Sequence, residues 1–262
     1  MSSRILVLFT LCGILCLPLL ASAEFPSYYP SDLYKNIQSE TIRDGELRKA
    51  FFLVLQKGHH PKTYSEARKY LFGKIHLESD GQGYFVRDVY CHRDYRAAAG
   101  VGPMSIPKDT ILNCEHTWPQ SKFSSSFPKD TQKADLHHLY PTDSKANNSR
   151  GNLPFAEVTP TADVPNCAES SLGVPENGRG TGGLYFTPPQ EQKGNVARAL
   201  FYFSIRYSMP IDPVQEGYLR KWNLDDPVDH MEQERNNMIE EIQGNRNPFI
   251  DMPEAIQLIS DF

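Results

Sequence analysis

Two short clusters near the middle of the chain concentrate the side chains that could do chemistry. The first, NCEHTWPQS at 113–121, holds an adjacent Glu115–His116 pair, and the second, DLHHLYP at 135–141, leads to NNSRGN at 147–152. Adjacent side chains on an extended segment point to opposite faces, so Glu115 can hold a metal while His116 faces a water. Histidine, with an ordinary pKa near ~6.5, is suited to accept a proton from that water at neutral pH.

Oxygen ligands for a metal can come from both clusters. A hard cation such as Mg²⁺ prefers oxygen, and the Glu115 carboxylate with the Asn147 carboxamide supplies two ligands while leaving positions for waters and a phosphate. Asn147 could instead cap a helix, which is a common use of asparagine. Glu115, Asn147 and His116 together indicate a metal-assisted hydrolase of phosphodiesters.

Four segments together resemble the endonuclease I family of secreted and periplasmic bacterial nucleases. They are NCEHTWPQSKF, DLHHLYPTDSKANNSRGNLPF, KGNVARALFYFSIRY and QGNRNPFID, and the similarity runs from about Leu47 to Glu254. Each segment alone would be a weak signal, but the set is specific. The resemblance implies a ββα-metal site, also called a His-Me finger, for hydrolysing nucleic acid.

The resemblance also assigns roles to three residues. Glu115 matches the metal-binding carboxylate, His116 the general base that activates the attacking water, and Asn147 the second protein ligand of one Mg²⁺, for which Mn²⁺ or Ca²⁺ could substitute. It implies a strand over 113–118 and a helix that begins within 145–152. Family members cut DNA and often RNA with little sequence preference, leaving 5′-phosphate ends, and we expect the same here.

One role in that family has no clear owner in this sequence. Members with a longer segment between the two clusters use an arginine there to steady the phosphate, whereas 117–134 contains no Arg. Arg150 is the second choice for this catalytic role; the alternative is that Arg150 braces the site through a hydrogen-bonded pair with Asp135. His137 and His138 stay open, one as a neighbour of the site and the other as a packed or exposed residue.

The first half of the chain predicts helices followed by a strand and a long irregular region. Apolar residues recur at helical spacing in 45–58, where Gly58 is placed to end the helix. Thr63 begins a second helix with capping-box spacing. The segment YFVRDVY at 84–90 has the composition of a strand, whereas 92–190 is rich in Pro, Gly, Ser and Asn and predicts irregular structure.

Helical patterns return in the second half. We expect helices over 195–207, from Pro227 to Gly244 and from Pro253 onward, with 24–40 as an extended lead-in to the first helix. These elements predict a single α+β domain over 24–262, with helices around a small irregular β centre that carries the ββα-metal finger.

The first 23 residues predict an export signal. Arg4 precedes an apolar run at 5–20, and Ala-Ser-Ala at 21–23 fits signal peptidase cleavage. Removal of residues 1–23 takes away two of the five cysteines. The remaining three are Cys91, Cys114 and Cys167. In an oxidising compartment these predict one disulfide and one free thiol, and the sequence leaves the pairing open.

Charge is distributed unevenly along the chain. The formal net charge is −5, yet 92–150 carries eight Lys and Arg against six Asp and Glu, while 212–262 carries four against twelve. The middle is therefore where an anion would be received. We expect DNA, with RNA as a second polymer, as the partner of an exported monomer without a membrane anchor, periplasmic or secreted. The alternative function is a catalytically inactive secreted binding protein of the same fold.

Overall fold

The computed structural model describes residues 27–178 and 182–262, and the export signal predicted at 1–23 lies outside these ranges. The helices within them are α1 (Ser31–Gln38), α2 (Asp44–Gly58), α3 (Tyr64–Tyr70), α4 (Lys129–Ala134), α5 (Ser144–Arg150), α6 (Gln190–Tyr207), α7 (Pro213–Asp225), α8 (His230–Gln243) and α9 (Pro248–Asp251). A π-helical turn, Leu71–Ile75, follows α3, and a 3-10 helix, Pro253–Leu258, follows α9.

The strands form three small antiparallel sheets. They are β1 (Glu78–Asp80), β2 (Gly83–Arg87), β3 (Asp94–Tyr95), β4 (Leu112–His116), β5 (Leu139–Asp143), β6 (Val158–Ala162), β7 (Ser171–Pro175) and β8 (Tyr185–Thr187). Their orders are β1-β2-β3, β4-β5 and β6-β7-β8. The helices and small sheets form an α+β fold, as the sequence predicts.

Helix α6 lies at the centre of the larger hydrophobic core. Its apolar side chains from Val196 to Tyr207 are buried around the whole circumference, which is typical of a helix surrounded by other elements. Leu47, Phe51 and Leu55 of α2 pack into the same core, as do α7 and α9. A smaller core joins α3, β4 and α8. Strand β4 thus packs into the smaller core, and helix α5 packs into the larger one through Ala146.

Several predicted elements are confirmed. Helix α2 ends at Gly58, and the side chain of Thr63 accepts from the Glu66 N–H in a capping box at the start of α3. The helix predicted over 195–207 is present within α6, which begins five residues earlier at Gln190. These signals are local in sequence, so they survive tertiary packing.

Other predictions were wrong in placement. The helix expected from Pro227 begins at His230, because the side chain of Asp229 accepts from the Glu232 N–H and caps it there. The region 92–190 contains six short strands rather than irregular structure alone, since long-range pairing compensates for weak local patterns.

Four helices were not predicted at all, namely α1, α4, α7 and α9. Residues 31–38 are helical rather than an extended lead-in. Helix α7 was also missed, although its sequence signal is present: Asp212 caps it and Pro213 occupies its first position.

One disulfide joins Cys91 to Cys167, and Cys114 is a buried free thiol. The expectation of one disulfide and one free cysteine is thereby met, and the pairing that the sequence left open is resolved. Within 27–178 and 182–262, none of the helices is both long and apolar enough to cross a membrane.

Two glycines differ in whether their backbone would tolerate a side chain. Gly244 follows α8 with φ +84°, and a Cβ there would lie 2.4 Å from the carbonyl oxygen of Gly58. Gly217, in the interior of α7, has open space at its Cβ position.

We predict that Gly244→Ala lowers the free energy of unfolding by about 2 kcal/mol, because alanine is strained at this φ and crowds Gly58. Gly217→Ala is the matched control and should raise it by about 0.5–1 kcal/mol, since alanine is the better helix former. Urea unfolding followed by circular dichroism measures both. Equal stabilities of Gly244→Ala and the parent would contradict the assigned backbone.

Candidate nuclease site

Strands β4 and β5 and helix α5 form one compact ββα unit. In the antiparallel register Glu115 lies opposite Tyr140, and His116 lies opposite Leu139. Helix α5 begins directly after β5, because the side chain of Asp143 accepts from the N–H groups of the first turn. The strand expected over 113–118 is present but ends at His116. The predicted helix is also present, and it spans Ser144–Arg150.

An open cleft of about 320 Å³ lies against this unit. Glu115, His116 and Asn147 all line it, so the structure brings together the three residues that the sequence singled out from separate clusters. The other residues that line the cleft are Tyr64, Asn113, Cys114, Pro119, Gln120, Ser121, Gly151 and Asn152.

The His116 ring is fixed by hydrogen bonds at both nitrogens. Nε2 lies 3.1 Å from the carbonyl oxygen of Lys133. Because a carbonyl only accepts, Nε2 must carry the proton, which leaves Nδ1 with its lone pair. The amide nitrogen of Gln120 lies 3.4 Å from Nδ1. The backbone acceptor for this ring, which the sequence could not identify, is therefore the carbonyl of Lys133.

The electrostatic surroundings keep His116 neutral. Burial is the largest cause that lowers the pKa of His116 well below its ordinary value, and His138 acts in the same direction, whereas the hydrogen bond to the Lys133 carbonyl raises it in part. Only 6% of the residue is exposed. The neutral imidazole keeps a free lone pair on Nδ1 for a proton, although the lowered pKa makes it a weaker base than an exposed histidine.

The Glu115 carboxylate is held from behind by two donors. Arg150 Nη1 lies 2.6 Å from Oε1, and the Tyr90 hydroxyl donates to the same oxygen at 2.9 Å. Both donors contact Oε1, so neither of them contacts Oε2. Burial raises the pKa of Glu115, although Arg150 and Tyr90 lower it in part. The ionised carboxylate is thus under-compensated, and a cation would stabilise it.

Besides the Glu115 carboxylate, the amide oxygen of Asn147 is the other candidate metal ligand. Its Nδ2 donates to the Cys114 carbonyl oxygen at 3.3 Å, which leaves Oδ1 as the other end of a fixed amide. Within 27–178 and 182–262, no group of three or more His, Cys, Asp or Glu side chains is arranged to hold a metal. One carboxylate oxygen and one amide oxygen on an open cleft nevertheless match a hard cation that keeps several waters. The residues fit a single Mg²⁺.

Arg150 is buried behind the cleft, with 1% of its surface exposed. Besides Glu115, its guanidinium donates to the carbonyl oxygens of His116 and Thr117. A bracing role is therefore visible, but the expected partner was wrong: Asp135 accepts from other residues. Whether Arg150 also steadies the phosphate in the reaction stays a prediction.

Asp135 and the two histidines after it form a buried layer beneath the site. Asp135 accepts from the hydroxyls of Tyr202 and Tyr207, each at 2.8 Å. His137 Nε2 lies 3.0 Å from the Asn245 carbonyl, and His138 Nε2 lies 2.7 Å from the Gln132 carbonyl. Both histidines are packed residues, and the ring of His138 lies 5.4 Å from that of His116.

Three residues of the site were missed in the sequence. Tyr90 contacts Glu115, Gln120 contacts Nδ1 of His116, and the ring centroid of Tyr64 lies 5.6 Å from that of His116. Tyr64 also has the ammonium of Lys133 at 4.5 Å and the guanidinium of Arg68 at 4.9 Å from its ring centroid. Gln120 follows the Glu-His pair closely and could have been suspected. Tyr64 and Tyr90 carry no local signal.

Named proteins with similar sequences include nucleases of two kinds. The extracellular ribonuclease of Bacillus subtilis strain 168 is 35% identical over 167 residues, which cover 54% of this chain and 51% of that protein. The extracellular deoxyribonuclease of Aeromonas hydrophila is 26% identical over 141 residues, covering 53% and 58%. Endonuclease-1 of Buchnera aphidicola subsp. Baizongia pistaciae is 26% identical over 218 residues, covering 74% and 85%.

The chain spans about half the length of the Bacillus relative. A family model described as Endonuclease I matches residues 46–254, which include both clusters and all three elements of the ββα unit. The match covers most of the sequence, and so the chain belongs to the Endonuclease I family.

Proposed function

We propose that this protein is an exported, metal-dependent endonuclease that hydrolyses phosphodiester bonds of DNA and RNA to 5′-phosphate ends without sequence preference. The observation that carries the proposal is the fixed His116 ring, whose Nε2 is tied to Lys133 so that Nδ1 lies on the cleft lined by Glu115 and Asn147. Relatives named extracellular ribonuclease, extracellular deoxyribonuclease and periplasmic deoxyribonuclease support both polymers and an exported location.

His116 acts as the general base in this proposal. Nδ1 accepts the proton of a water in the cleft while that water attacks the phosphorus atom. The Nε2–H bond to the Lys133 carbonyl fixes the tautomer and supports the positive charge that the ring acquires. Gln120, near Nδ1, can hold the ring plane but must yield its place to the water.

Glu115 and Asn147 would hold one divalent cation through a carboxylate oxygen and an amide oxygen. A bound cation would supply positive charge for the phosphate and for the departing 3′-oxygen. Tyr90 and Arg150 act through Glu115: they occupy Oε1, restrict rotation of the carboxylate and so direct Oε2 toward the cleft. The local excess of Lys and Arg over Asp and Glu in 92–150 favours approach of a polyanion.

The alternative of an inactive binding protein has no observation in its favour. Loss of catalysis within this fold would leave a broken Glu-His pair or a replaced asparagine. Glu115, His116 and Asn147 are all present and all line the same cleft.

We predict that His116→Ala lowers kcat by about 10²–10⁴-fold, because the attacking water loses its proton acceptor. Affinity for an oligonucleotide should stay within about threefold, since contacts to the phosphate backbone dominate such binding. Cleavage of a fluorescent oligonucleotide and its anisotropy measure the two quantities. His230→Ala, at a histidine 80% exposed on α8, is the matched control and should be fully active. Retention of a tenth or more of the parent kcat in His116→Ala would remove this residue from the base role.

Removal of divalent metal should abolish cleavage, and Mg²⁺ in excess of the chelator should restore it. Asn147→Ala should weaken Mn²⁺ binding by at least about tenfold in calorimetry, because one of two protein oxygens is lost. Asn148→Ala, on the exposed side of the same helix, should leave the affinity unchanged. Full activity in EDTA, or equal affinities of the two variants, would argue against this metal site.

Tyr90→Phe removes the hydroxyl that contacts Oε1 of Glu115 and keeps the aromatic ring. We expect activity to fall by about 10–100-fold, as for other residues that orient a metal ligand. The matched control Tyr84→Phe lies on β2 at a tyrosine that is 50% exposed and should behave like the parent. Metal titrations of activity measure the effect, and an unchanged Tyr90→Phe enzyme would show that Arg150 alone suffices to orient Glu115.

A further inference from the structure

A second, smaller pocket lies beside the catalytic cleft. It has a volume of about 180 Å³, and its walls come from the segments 117–122, 153–154 and 210–215. Pro119 lines both this pocket and the cleft, and 117–119 directly follows His116. A group held in the pocket therefore lies within reach of a strand whose phosphate is at His116. We call it the Leu153 pocket.

The walls of the Leu153 pocket are mainly apolar. Leu153, Pro154, Leu200 and Ile211 contribute hydrophobic surface. Pockets for whole drug-sized ligands have volumes of about 300–1,000 Å³, so this one accommodates a single ring system. A hydrated phosphate would lose water against these walls without gaining enough partners.

One buried donor at the pocket lacks an acceptor among the described residues. Arg150 lines it, and Nε is the guanidinium nitrogen of Arg150 with no hydrogen-bond partner among the described residues. Buried donors in proteins normally have partners, so this N–H calls for an acceptor.

Two further residues at the pocket, Lys122 and Gln215, also carry hydrogen-bond donors. Burial lowers the pKa of Lys122, the positive charge of Arg150 lowers it further, and the carboxylate of Asp212 raises it in part. Gln215 uses Oε1 to accept from the Phe155 N–H at 2.7 Å, which leaves its amide N–H groups. Asp212, the acidic residue here, uses Oδ1 to cap α7. The pocket thus combines apolar walls with an edge that carries several donors and one carboxylate.

We propose that the Leu153 pocket binds one unstacked nucleobase of the substrate strand, close to the scissile phosphate. The apolar walls contact the ring, and the donors meet ring nitrogens or carbonyl oxygens on the base edge. Every base offers a ring face and at least one acceptor, so the pocket adds affinity without strict sequence preference. This inference rests on the proposed nuclease function, because the nucleic acid is the source of the base.

The position of the base can be mapped with abasic substrates. A single abasic residue is moved along an end-labelled single-stranded DNA of 12 nucleotides, and cleavage at each bond is quantified with Mg²⁺ present. We expect cleavage to fall about tenfold at one bond, at a constant offset from the abasic residue, since base contacts of this kind contribute ~1–3 kcal/mol. Uniform cleavage at every offset would overturn the proposal.

Filling the pocket provides the second arm. At the bond identified above, Leu153→Trp should cleave the intact strand as slowly as the parent protein cleaves the abasic strand. Its own cleavage rate should be the same for the intact and the abasic strand. Its retained rate on the abasic strand shows that it is folded. Leu53→Trp, at an exposed leucine of α2, is the matched control and should keep the tenfold difference.

A variant that preserves the shape of the pocket guards against misfolding. Lys122→Met removes the ammonium and should reduce the abasic effect to about threefold, whereas Lys129→Met, at an exposed lysine outside the pocket, should not. If Lys122→Met, Lys129→Met and Leu153→Trp all keep the tenfold difference between intact and abasic strands, the pocket is not the base site.

A binding comparison separates this proposal from the nuclease function. The anisotropy of labelled intact and fully abasic strands with the parent protein needs no cleavage. Tighter binding of the intact strand, lost in Leu153→Trp, would support the base pocket even if the protein cleaved neither. Equal binding of both strands would overturn it, and absence of cleavage with a clear base effect would overturn only the proposed function.

Discussion

The buried ion pair between Arg150 and Glu115 is the interaction on which the site depends. Each residue is 1% exposed, so both charges have left water, and the pair alone is weak grounds for stability. Its value is geometric. The same guanidinium that holds Oε1 of Glu115 also donates to the carbonyls of His116 and Thr117, at the end of β4. Arg150 thereby joins helix α5 to strand β4, and α5 also carries Asn147.

The remaining framework keeps that joint in place. Asp143 starts α5 immediately after β5, so the distance in sequence between the hairpin and Asn147 is fixed. The turn before β5 is held by Asp135, which accepts from two tyrosines of α6 and from Gln243 of α8. Gln243 precedes Gly244, whose close approach to Gly58 brings α8 against α2. Contacts outside the cleft thus connect α6 and the ends of α2 and α8 to the turn that leads into β5.

The disulfide has a related place in this framework. Cys91 follows Tyr90, the residue that donates to Glu115, and Cys167 ties that segment to the loop before β7. Three cysteines and an oxidising compartment predicted one disulfide from the sequence. Which two cysteines form it became known only from the structure. Cys114 is excluded because it points into the smaller core between β4 and its neighbours.

How far the sequence predicts this site differs from residue to residue. Glu115 and His116 are adjacent, and the family resemblance relates them to Asn147, so these three could be named in advance. The helix after the hairpin was also predictable from that resemblance. Tyr90 could not be found, because a lone tyrosine 25 residues before Glu115 has no pattern that links the two. The Lys133 acceptor is a backbone carbonyl, which any residue would supply.

The same division explains the errors in the fold. The start of α3 was placed correctly from its local cap at Thr63, whereas the strands of 92–190 depend on partners distant in sequence. Helix α8 begins after Asp229 rather than at Pro227. The Asp229 side chain accepts a hydrogen bond from a backbone N–H of the first turn, whereas a proline supplies no such acceptor. Arg150 was expected to brace the site, but its partner could be known only once α5 was packed on β4.

The central claim is that Glu115 and Asn147 hold one divalent cation next to a neutral His116. The most direct test is anomalous diffraction from crystals of the protein soaked in MnCl₂. We predict a single dominant peak in the cleft, coordinated by Oε2 of Glu115 and Oδ1 of Asn147, with Nδ1 of His116 facing a water beside it. A dominant peak elsewhere, or one in the cleft without either oxygen as a ligand, would contradict the account.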